Sequence, residues 1–464
     1  MSFKLSPKVN PPTVFLARWS ELTDRFDPAM VLFRRKLHSY KYPVKPLRKL
    51  FSEQPQYGAG ERGIERISMD QPRYVRITDI DEFGILSNEL GVTAEIVDPR
   101  YLLKEDDLLI ARSGNTVGKS YIHKKRHVSY SCFYAGYLIR FRFNDSIVTP
   151  DYVFAITQLP YYKKWVEAIK RPAGQPNINA QEYSSLQIPV PDRAVQDKVV
   201  KRLNDAYEVK RIKEKNASEL LEGIDVILIK ELGIKLPPEP PNTIKNRIFK
   251  RRFSDVTGNR FDPIANQPKV LLLRQALEKG KYKTKPLGEE VVFRKDIVDE
   301  IGKDETYIGL ENIDGSSGEY IASKEKESIS SAVKFSKGEI LFPKLRPYLN
   351  KTHFAEFSGI CSTEFHILRS KNFLPRFLFE MLRSKSVVSL TSLLMTGNTL
   401  PRLQVADIKS IPMPIPPVKI QERLVNKAYQ IRRDALNMYN QASIELEKSK
   451  KEIELLLISK KVKS

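Results

Sequence analysis

The chain of 464 residues is 41% apolar and 9% aromatic, which is enough to build the cores of two to four domains. Lysine and arginine number 78 against 56 aspartate and glutamate residues, and the formal charge of +22 favours nucleic acid as a partner over an anionic membrane or the ribosome. The chain shows no signal-peptide pattern, no apolar run of membrane-spanning length and no clustering of its two cysteines and five histidines, so we expect a cytoplasmic protein without a metal site.

The first half of the chain has the pattern of a mixed globular domain. After a polar, proline-rich lead over 1–13, short strand-like segments alternate with turns, and a helical stretch near 150–170 leads to a polar glycine loop. The strand-like segments lie at 74–77, 107–110 and 137–140, and the loop runs from 174 to 180. We therefore predict an α/β domain over 14–191.

A single long helix is predicted to follow this domain, over 192–233. Asp192 can cap its first turn after a proline-rich entry, and Gly233 with the prolines that follow ends it. Apolar residues recur three to five positions apart from Val195 to Ile227, and charged residues fill the other faces. A helix of about 40 residues would be about 60 Å long and would expose its apolar seam, so it needs a partner.

The second half of the chain repeats the first. A proline-rich linker runs over 234–247, and strand-like segments follow at 307–310, 339–342 and 366–369. A helical stretch near 375–394 then leads to a glycine loop at 397–404. A second domain over 248–415 is followed by another amphipathic helix, over 416–460. Gln421 follows the sequence Met-Pro-Ile-Pro that precedes this helix, as Gln196 follows Ile-Pro-Val-Pro before the first. We predict a tandem duplication with an α+β fold, in which a pair of long antiparallel, coiled-coil-like helices separates two globular α/β domains with pseudo-two-fold symmetry.

The two halves share their framework but not their polar loops. Segments 25–28 and 260–263 both read Arg-Phe-Asp-Pro, and we assign them to the scaffold, with a buried Phe, a turn at the Asp and a paired Arg. In contrast, 112–120 reads Arg-Ser-Gly-Asn-Thr-Val-Gly-Lys-Ser where 343–351 reads Pro-Lys-Leu-Arg-Pro-Tyr-Leu-Asn-Lys. One scaffold with two different recognition surfaces is therefore expected.

Three short motifs suggest catalysis, and each lacks a part that the chemistry needs. Segment 114–120 has three residues between its glycines where a phosphate-binding P-loop has four. Segment 10–13 lacks the aromatic residue of the adenine-methylase motif, and Asp192 with Glu208 and Lys210 would place a nuclease site on a helix rather than a sheet. A self-sufficient NTPase or nuclease using 114–120, and a coiled-coil scaffold whose charge serves solubility or RNA association, remain the alternatives.

The chain resembles the specificity (S) subunit of type I restriction-modification enzymes, in the stretches ARSGNTVGKS, GQPNINAQEYSSLQIPVP and GNTLPRLQVADIKSIPMPIPP. The resemblance implies a non-catalytic subunit of a prokaryotic, nucleoid-associated phage-defence complex, in which each target recognition domain reads one half of a split, asymmetric DNA sequence. It also implies that the helices set the unread spacer and dock two DNA adenine methyltransferase (M) subunits. The M subunits use S-adenosylmethionine, restriction (R) subunits that use ATP and Mg can join, and the chain itself binds no cofactor. A methylation-only or other defence complex is the alternative within this class.

The resemblance assigns the divergent loops to DNA contact. Arginine can form two hydrogen bonds with guanine and asparagine or glutamine two with adenine, whereas a run of lysines suits phosphates. The candidates in the first half are Arg112, Ser113, Asn115, Thr116, Lys119, Gln175, Asn177 and Asn179, with Lys124, Lys125 and Arg126 for phosphates. The candidates in the second half are Lys344, Arg346, Tyr348, Asn350, Lys351, Asn398, Thr399, Arg402 and Gln404. An ordinary exposed turn is the alternative for each loop.

Overall fold

The computed structural model describes residues 15–19, 28–36, 39–87, 90–170, 176–239, 241, 243–253, 260–299, 305–322, 331–397 and 400–459. The chain divides into two compact units. Unit 1 comprises Met1–Ile212 with Gln441–Ser464, and unit 2 comprises Lys213–Asn440. Each unit therefore holds a globular part and a stretch of both long helices.

Unit 1 is built from short strands and short helices, which are followed by the first long helix. The strands are β1 Ser39–Tyr40, β2 Val44–Pro46, β3 Phe51–Tyr57, β4 Ile64–Glu65, β5 Arg73–Val75, β6 Val92–Thr93, β7 Leu108–Ala111, β8 Ser120–Ile122, β9 Cys132–Tyr134, β10 Leu138–Phe143 and β11 Gln187–Pro189. The helices are α1 Pro28–Lys36, α2 Pro150–Thr157, α3 Pro160–Ile169, α4 Ala180–Ser184 and the long α5 Arg193–Leu232.

A four-stranded antiparallel sheet organises unit 1, in the order β3, β10, β7, β8. All four residues of β7 are buried, because Leu108 and Ile110 enter one core while Leu109 and Ala111 enter another. This explains the unbroken apolar run Leu-Leu-Ile-Ala, which a strand covered on both faces requires. The helices α2 and α3 contribute most of their buried side chains to the first of these cores.

Unit 2 is built in the same way. Its strands are β12 Thr284–Pro286, β13 Val291–Arg294, β14 Ile297–Val298, β15 Tyr307–Ile308, β16 Ala332–Phe335, β17 Ile340–Pro343, β18 His353–Phe354, β19 Gly359–Cys361, β20 Phe365–Ser370 and β21 Pro412–Pro414. Its helices are α6 Ile244–Arg247, α7 Pro268–Glu278, α8 Leu287–Glu290, α9 Pro375–Arg383, α10 Lys385–Leu393, α11 Val405–Lys409 and the long α12 Val418–Leu457. The strand β22 Ile458–Ser459 follows α12, belongs to unit 1 and pairs there with β1.

The topology of unit 2 repeats that of unit 1. Its antiparallel sheet has the order β13, β20, β17, β18, and its parallel pair β15–β19 corresponds to β5–β9. Cys132 on β9 and Cys361 on β19 stand at corresponding places, and burial raises the pKa of each thiol to about 12. The predicted tandem α+β fold with two long helices is confirmed.

The two long helices begin in the same way. Gln196 is 2% exposed; its side chain accepts a hydrogen bond from the amide of Thr149 at 2.9 Å and donates to the carbonyl of Pro191 at 3.0 Å. Gln421 is 1% exposed, and its side chain forms the equivalent bonds with Leu374 and Pro416, each at 2.9 Å. Because Thr149 and Leu374 are the N-caps of α2 and α9, each glutamine fixes its long helix to the domain that precedes it.

The long helices run antiparallel within each unit. In unit 1 Arg202 forms an ion pair with Glu452, and further along α5 the Tyr207 ring lies 5.7 Å from the Lys450 ammonium, earlier on α12. In unit 2 Glu231 pairs with Arg423 while Ser218, earlier on α5, is hydrogen-bonded to Tyr439, later on α12. Most apolar residues of the predicted seams are buried or partly buried by this packing, whereas Ile212 is 49% exposed. Among the helices that the structure describes, none combines the length and the apolar character needed to cross a membrane.

The repeated Arg-Phe-Asp-Pro motif is described in the second half only, because residues 25–27 lie outside the described residues. Asp262 turns the backbone by accepting a hydrogen bond from the amide of Ala265 at 2.9 Å, and Arg260 pairs with Asp407 at 2.7 Å. Phe261 is 69% exposed, so its predicted place in the core is wrong. The turn at Asp262 and the ion pair of Arg260 therefore stabilise the segment, and burial of Phe261 does not contribute.

Candidate nucleic-acid interface

Two loops that are distant in the sequence meet in unit 1. The loop 112–119 follows β7, and the loop 176–179 precedes α4; Ser113 and Asn177 form a β-bridge between them, with further backbone bonds of 2.8 and 3.0 Å. Gly118 has a φ of +88°, and a Cβ there would lie 2.8 Å from a side-chain carbon of α3, so only glycine fits this turn. The two stretches that the sequence singled out therefore form one surface, the first loop pair.

The side chains of the first loop pair combine a cation, aromatic rings and exposed polar groups. The Arg112 guanidinium lies 4.8 Å from the centre of the Tyr57 ring, and its amide donates to the carbonyl of Tyr137 at 2.9 Å. Asn115 and Thr116 are exposed, and Tyr137 is 65% exposed. Sequence reasoning missed both tyrosines, since each belongs to a strand end distant from the loop it joins. Stacked arginine and exposed tyrosine are suited to nucleic-acid bases.

The same backbone arrangement recurs in unit 2, where the loop 344–351 after β17 meets the loop 400–404 before α11. The amide of Lys344 donates to the carbonyl of Glu364 at 2.8 Å, and the carbonyl of Lys344 accepts from the amide of Leu403 at 2.9 Å. Arg402 forms a β-bridge across the two loops, as Asn177 does in unit 1. This surface is the second loop pair.

These backbone bonds bring three positions of the first loop pair into register with three of the second. Arg112 corresponds to Lys344 and Tyr137 corresponds to Glu364, because the same amide-to-carbonyl bond joins the two residues of each unit. Asn177 corresponds to Arg402, because each residue bridges the position that follows Arg112 or Lys344. The frames are alike, whereas the side chains differ in charge, shape and hydrogen-bonding capacity.

Buried polar atoms without a partner occur in both loop pairs. Among the described residues eight buried side-chain nitrogen or oxygen atoms have no hydrogen bond, and four of them belong to Arg112, Asn177, Asn350 and His366. Arg112 and Asn177 lie in the first loop pair, Asn350 lies in the second, and His366 is on β20, where burial lowers its pKa to about 4. Unpaired buried polar atoms are uncommon in folded proteins, and half of those among the described residues lie in or next to the two loop pairs.

Two predicted DNA-contacting lysines are turned into the protein. The Lys119 ammonium donates to the carbonyl of Ile77 at 3.4 Å and to that of Ile80, at the ends of the short 3-10 helix Ile77–Asp79. The Lys351 ammonium donates to the carbonyl of Leu310 at 2.8 Å, in the corresponding 3-10 helix of unit 2. Both lysines therefore brace a neighbouring loop in this arrangement.

The basic run 124–126 is also partly structural. Lys124 is 6% exposed and pairs with Asp106 and, at 2.6 Å, with Asp151, so its charge is compensated inside unit 1. Lys125 and Arg126 are exposed, as a phosphate contact requires. The sequence could not distinguish the three, because the two acids that bind Lys124 are 18 and 27 residues away.

The remaining candidates divide into capping residues and exposed ones. Asn179 caps α4 by accepting from the amide of Glu182 at 2.8 Å, and Gln404 at the start of α11 donates to Thr396 at 3.1 Å. Arg346 and Tyr348 are exposed. The remaining three candidates, Gln175, Asn398 and Thr399, lie outside the described residues.

Arg383, which sequence reasoning missed, is a buried residue that donates hydrogen bonds to backbone carbonyls of the second loop pair and of a neighbouring loop. It is 7% exposed and donates to the carbonyls of Asn350 and Thr352 at 2.5 and 3.2 Å, and to those of Gly315 and Ser316 at 2.9 and 2.8 Å. Asn350 returns a bond from its side chain to the Arg383 carbonyl at 3.1 Å. One buried cation thus fixes two loops whose carbonyl groups would otherwise lack partners.

The glycine loop 114–120 does not have the geometry of a phosphate cradle. The amides of Gly114, Val117, Gly118 and Lys119 all donate to backbone carbonyls of unit 1, and the Ser120 hydroxyl lies 2.7 Å from that of Thr157. A P-loop needs such amides directed at the phosphates. This arrangement gives no support to nucleotide hydrolysis.

The loose nuclease pattern is accounted for by structure. Asp192 caps α5 by accepting from the amide of Val195 at 2.9 Å, Glu208 pairs with Arg211, and Lys210 pairs with Glu82 at 2.7 Å. No group of three or more His, Cys, Asp or Glu side chains able to hold a metal ion occurs in the part of the chain that the structure describes.

Comparison with known proteins bears on this interface. Residues 84–222 match the family model described as the Type I restriction modification DNA specificity domain. The Type I restriction enzyme EcoDI specificity subunit from Escherichia coli is 30% identical over 122 residues, which are 26% of this chain and 27% of that subunit. The chain thus spans about a quarter of the length of that curated relative. The resemblance found in the sequence is confirmed over residues 84–222, the part of the chain that matches the specificity-domain model.

Two solved structures are similar over most of their length. A chain of a type I R-M system has a TM-score of 0.47 and 13% identity, with 90% of this chain and 97% of that chain covered. The S subunit of a type I restriction-modification system from M. genitalium has a TM-score of 0.37 and 14% identity, with coverages of 90% and 96%.

Proposed function

We propose that this chain is the non-catalytic, sequence-reading subunit of a type I restriction-modification complex, with recognition domains over 14–191 and 248–415 that each read one half of a bipartite, asymmetric DNA target. The observation that carries the proposal is the correspondence of the two loop pairs, in which one backbone frame presents Arg112, Tyr137 and Asn177 in unit 1 but Lys344, Glu364 and Arg402 in unit 2. Two readers of one design with different side chains would select different bases.

The charge of the chain supports DNA as the ligand. A formal charge of +22 favours binding to a polyanion at any sequence, and phosphate contacts position the protein without specifying bases. Arg346 is an exposed cation within the second loop pair, and Lys125 and Arg126 are exposed cations after β8, at the end of the β7–β8 pair opposite the first loop pair. Specificity then rests on the polar side chains of the loops.

The long helices are proposed to set the unread spacer and to dock two DNA adenine methyltransferase subunits, which use S-adenosylmethionine. Several apolar side chains of the paired helices remain exposed, which gives a partner apolar area to bury. In unit 1 they are Val209, Ile212, Ile444 and Leu455; in unit 2 they are Val226, Tyr429 and Leu436. Restriction subunits that use ATP and Mg would join this core, and no cofactor is assigned to the chain itself.

The test is to map methylated sites after this chain is produced together with its methyltransferase. Asn177→Ala should relax the base preference at one position of one half-site, by about 5- to 150-fold, because a good bidentate contact discriminates by about 1–3 kcal/mol. The preference in the other half-site should stay unchanged and serves as the internal control. A change in both halves would contradict separate readers, and methylation without any sequence preference would contradict the proposed function.

A further inference from the structure

The second loop pair contains a charged pair that the first lacks. Glu364 comes from the residue before β20 and Arg402 from the loop before α11, and the backbone bonds of Lys344 hold both in place. The carboxylate accepts from Nε of the guanidinium at 3.0 Å and from Nη2 at 2.7 Å. Two bonds along one edge fix the plane of the guanidinium, which a single contact cannot do.

One side of the guanidinium remains available for a ligand. Arg402 is 42% exposed and Glu364 is 27% exposed, and among the described residues no protein atom bonds to Nη1 of Arg402. The outer hydrogens of Nη1 and Nη2 therefore point away from the carboxylate. Guanine presents two acceptors, N7 and O6, side by side in the major groove, and this end of an arginine matches their spacing.

The paired carboxylate argues for a base rather than a phosphate. Glu364 compensates the charge of Arg402, and its bonds with that arginine lower the pKa of the carboxyl group, so it stays ionised near neutral pH. A negative group beside the cation weakens attraction to phosphate but leaves the directional hydrogen bonds to a base edge intact. Both carboxylate oxygens accept from Arg402, so the role of Glu364 in this pair is to orient the guanidinium.

We propose that Arg402, held in plane by Glu364, reads a guanine in the half-site of unit 2. This inference rests on the proposed function and deepens it by naming one base and by identifying Glu364 as a positioning residue. Tyr137 and Asn177 occupy the corresponding places in unit 1 and cannot form such a pair, so a guanine read through this pair belongs to the unit 2 half-site.

The experiment selects DNA from a library that is randomised in both halves, with the full chain in complex with its methyltransferase. The wild-type chain should require a G·C pair at one position of the unit 2 half-site. Arg402→Lys keeps the charge but loses the fork, and it should lower that preference by about 5- to 150-fold. Glu364→Gln should lower it less, because the amide oxygen can still accept one bond.

Two controls make the result decisive. The preference in the unit 1 half-site, measured in the same selection, should be unchanged and shows that each variant is folded. Lys269 lies on α7, outside the loop pairs; Lys269→Met breaks its ion pair with Glu239 and should alter no preference. If the wild-type chain selects a bipartite target but Arg402→Lys leaves every position unchanged, the guanine inference is overturned and the proposed function stands. If Arg402→Lys instead weakens all sequences equally, the residue contacts phosphate. If the wild-type chain selects no sequence, the proposed function itself fails.

Discussion

The ion pair between Arg432 on α12 and Glu380 on α9 should be a strong attachment of the long helix to the globular part of unit 2. Its two bonds are 2.9 and 2.6 Å long, and the side chains are 10% and 6% exposed. The Arg432 guanidinium also lies 5.0 Å from the Phe379 ring and donates to the carbonyl of Ser317. Removing one partner leaves a buried charge uncompensated, which costs about 3–5 kcal/mol.

A double-mutant cycle measures this attachment. Arg432→Met and Glu380→Met should each lower the free energy of unfolding by about 3–5 kcal/mol, while the double variant should lose less than the sum of the two, because no unpaired charge remains. Urea unfolding monitored by circular dichroism gives the free energies, and hydrogen exchange of peptides from α9 reports the local effect.

The matched control is the pair Arg423–Glu231, which joins the same helix α12 to α5 in unit 2 but has 49% and 26% exposed side chains. The equivalent cycle there should give about 0.2–1 kcal/mol. Additive losses at Arg432 and Glu380, or single losses no larger than those of the control, would refute the reasoning.

Two further predictions concern groups in and beside the loop pairs. Lys119→Met should lower the free energy of unfolding by about 1–3 kcal/mol, because it removes hydrogen bonds from a charged donor. The salt dependence of DNA binding should stay the same, and a shallower slope would show that Lys119 contacts a phosphate. His366 has a folded pKa of about 4 against an ordinary 6.5, so as the pH falls from 6.5 the unfolded chain gains a proton that the folded chain does not bind until about pH 4. This difference should remove about 3 kcal/mol from the free energy of unfolding between pH 6.5 and about pH 4. Urea unfolding at these two pH values should show a smaller loss of unfolding free energy for His366→Phe than for the wild type, and equal losses would contradict the prediction.

The architecture could be predicted because its signals are local and repeated. Asp192, Gly233 and the prolines around them fix the ends of α5, and the same entry with Gln421 marks α12. The unbroken apolar run of β7 indicates a strand that is covered on both faces, because such a strand is apolar throughout. These features depend on residues within a few positions of one another, so one sequence contains them.

The roles of individual polar residues could not be predicted, because they depend on partners distant in the chain. A lysine in a polar turn has the same local sequence whether it faces solvent or, like Lys119, a carbonyl 39 residues away. Arg402 could be assigned to the interface but not to Glu364, which is 38 residues away. Arg383, in an apolar helix, gave no signal of the four carbonyls it binds.

The frame shared by the two loop pairs has an evolutionary consequence. Main-chain amides and carbonyls hold the matched positions in place, so the side chains of Arg112, Tyr137 and Asn177 do not have to maintain the turn that presents them. Codons at these sites can drift with little risk of misfolding, and each half of the duplicated gene can acquire a new specificity while the other keeps the old one.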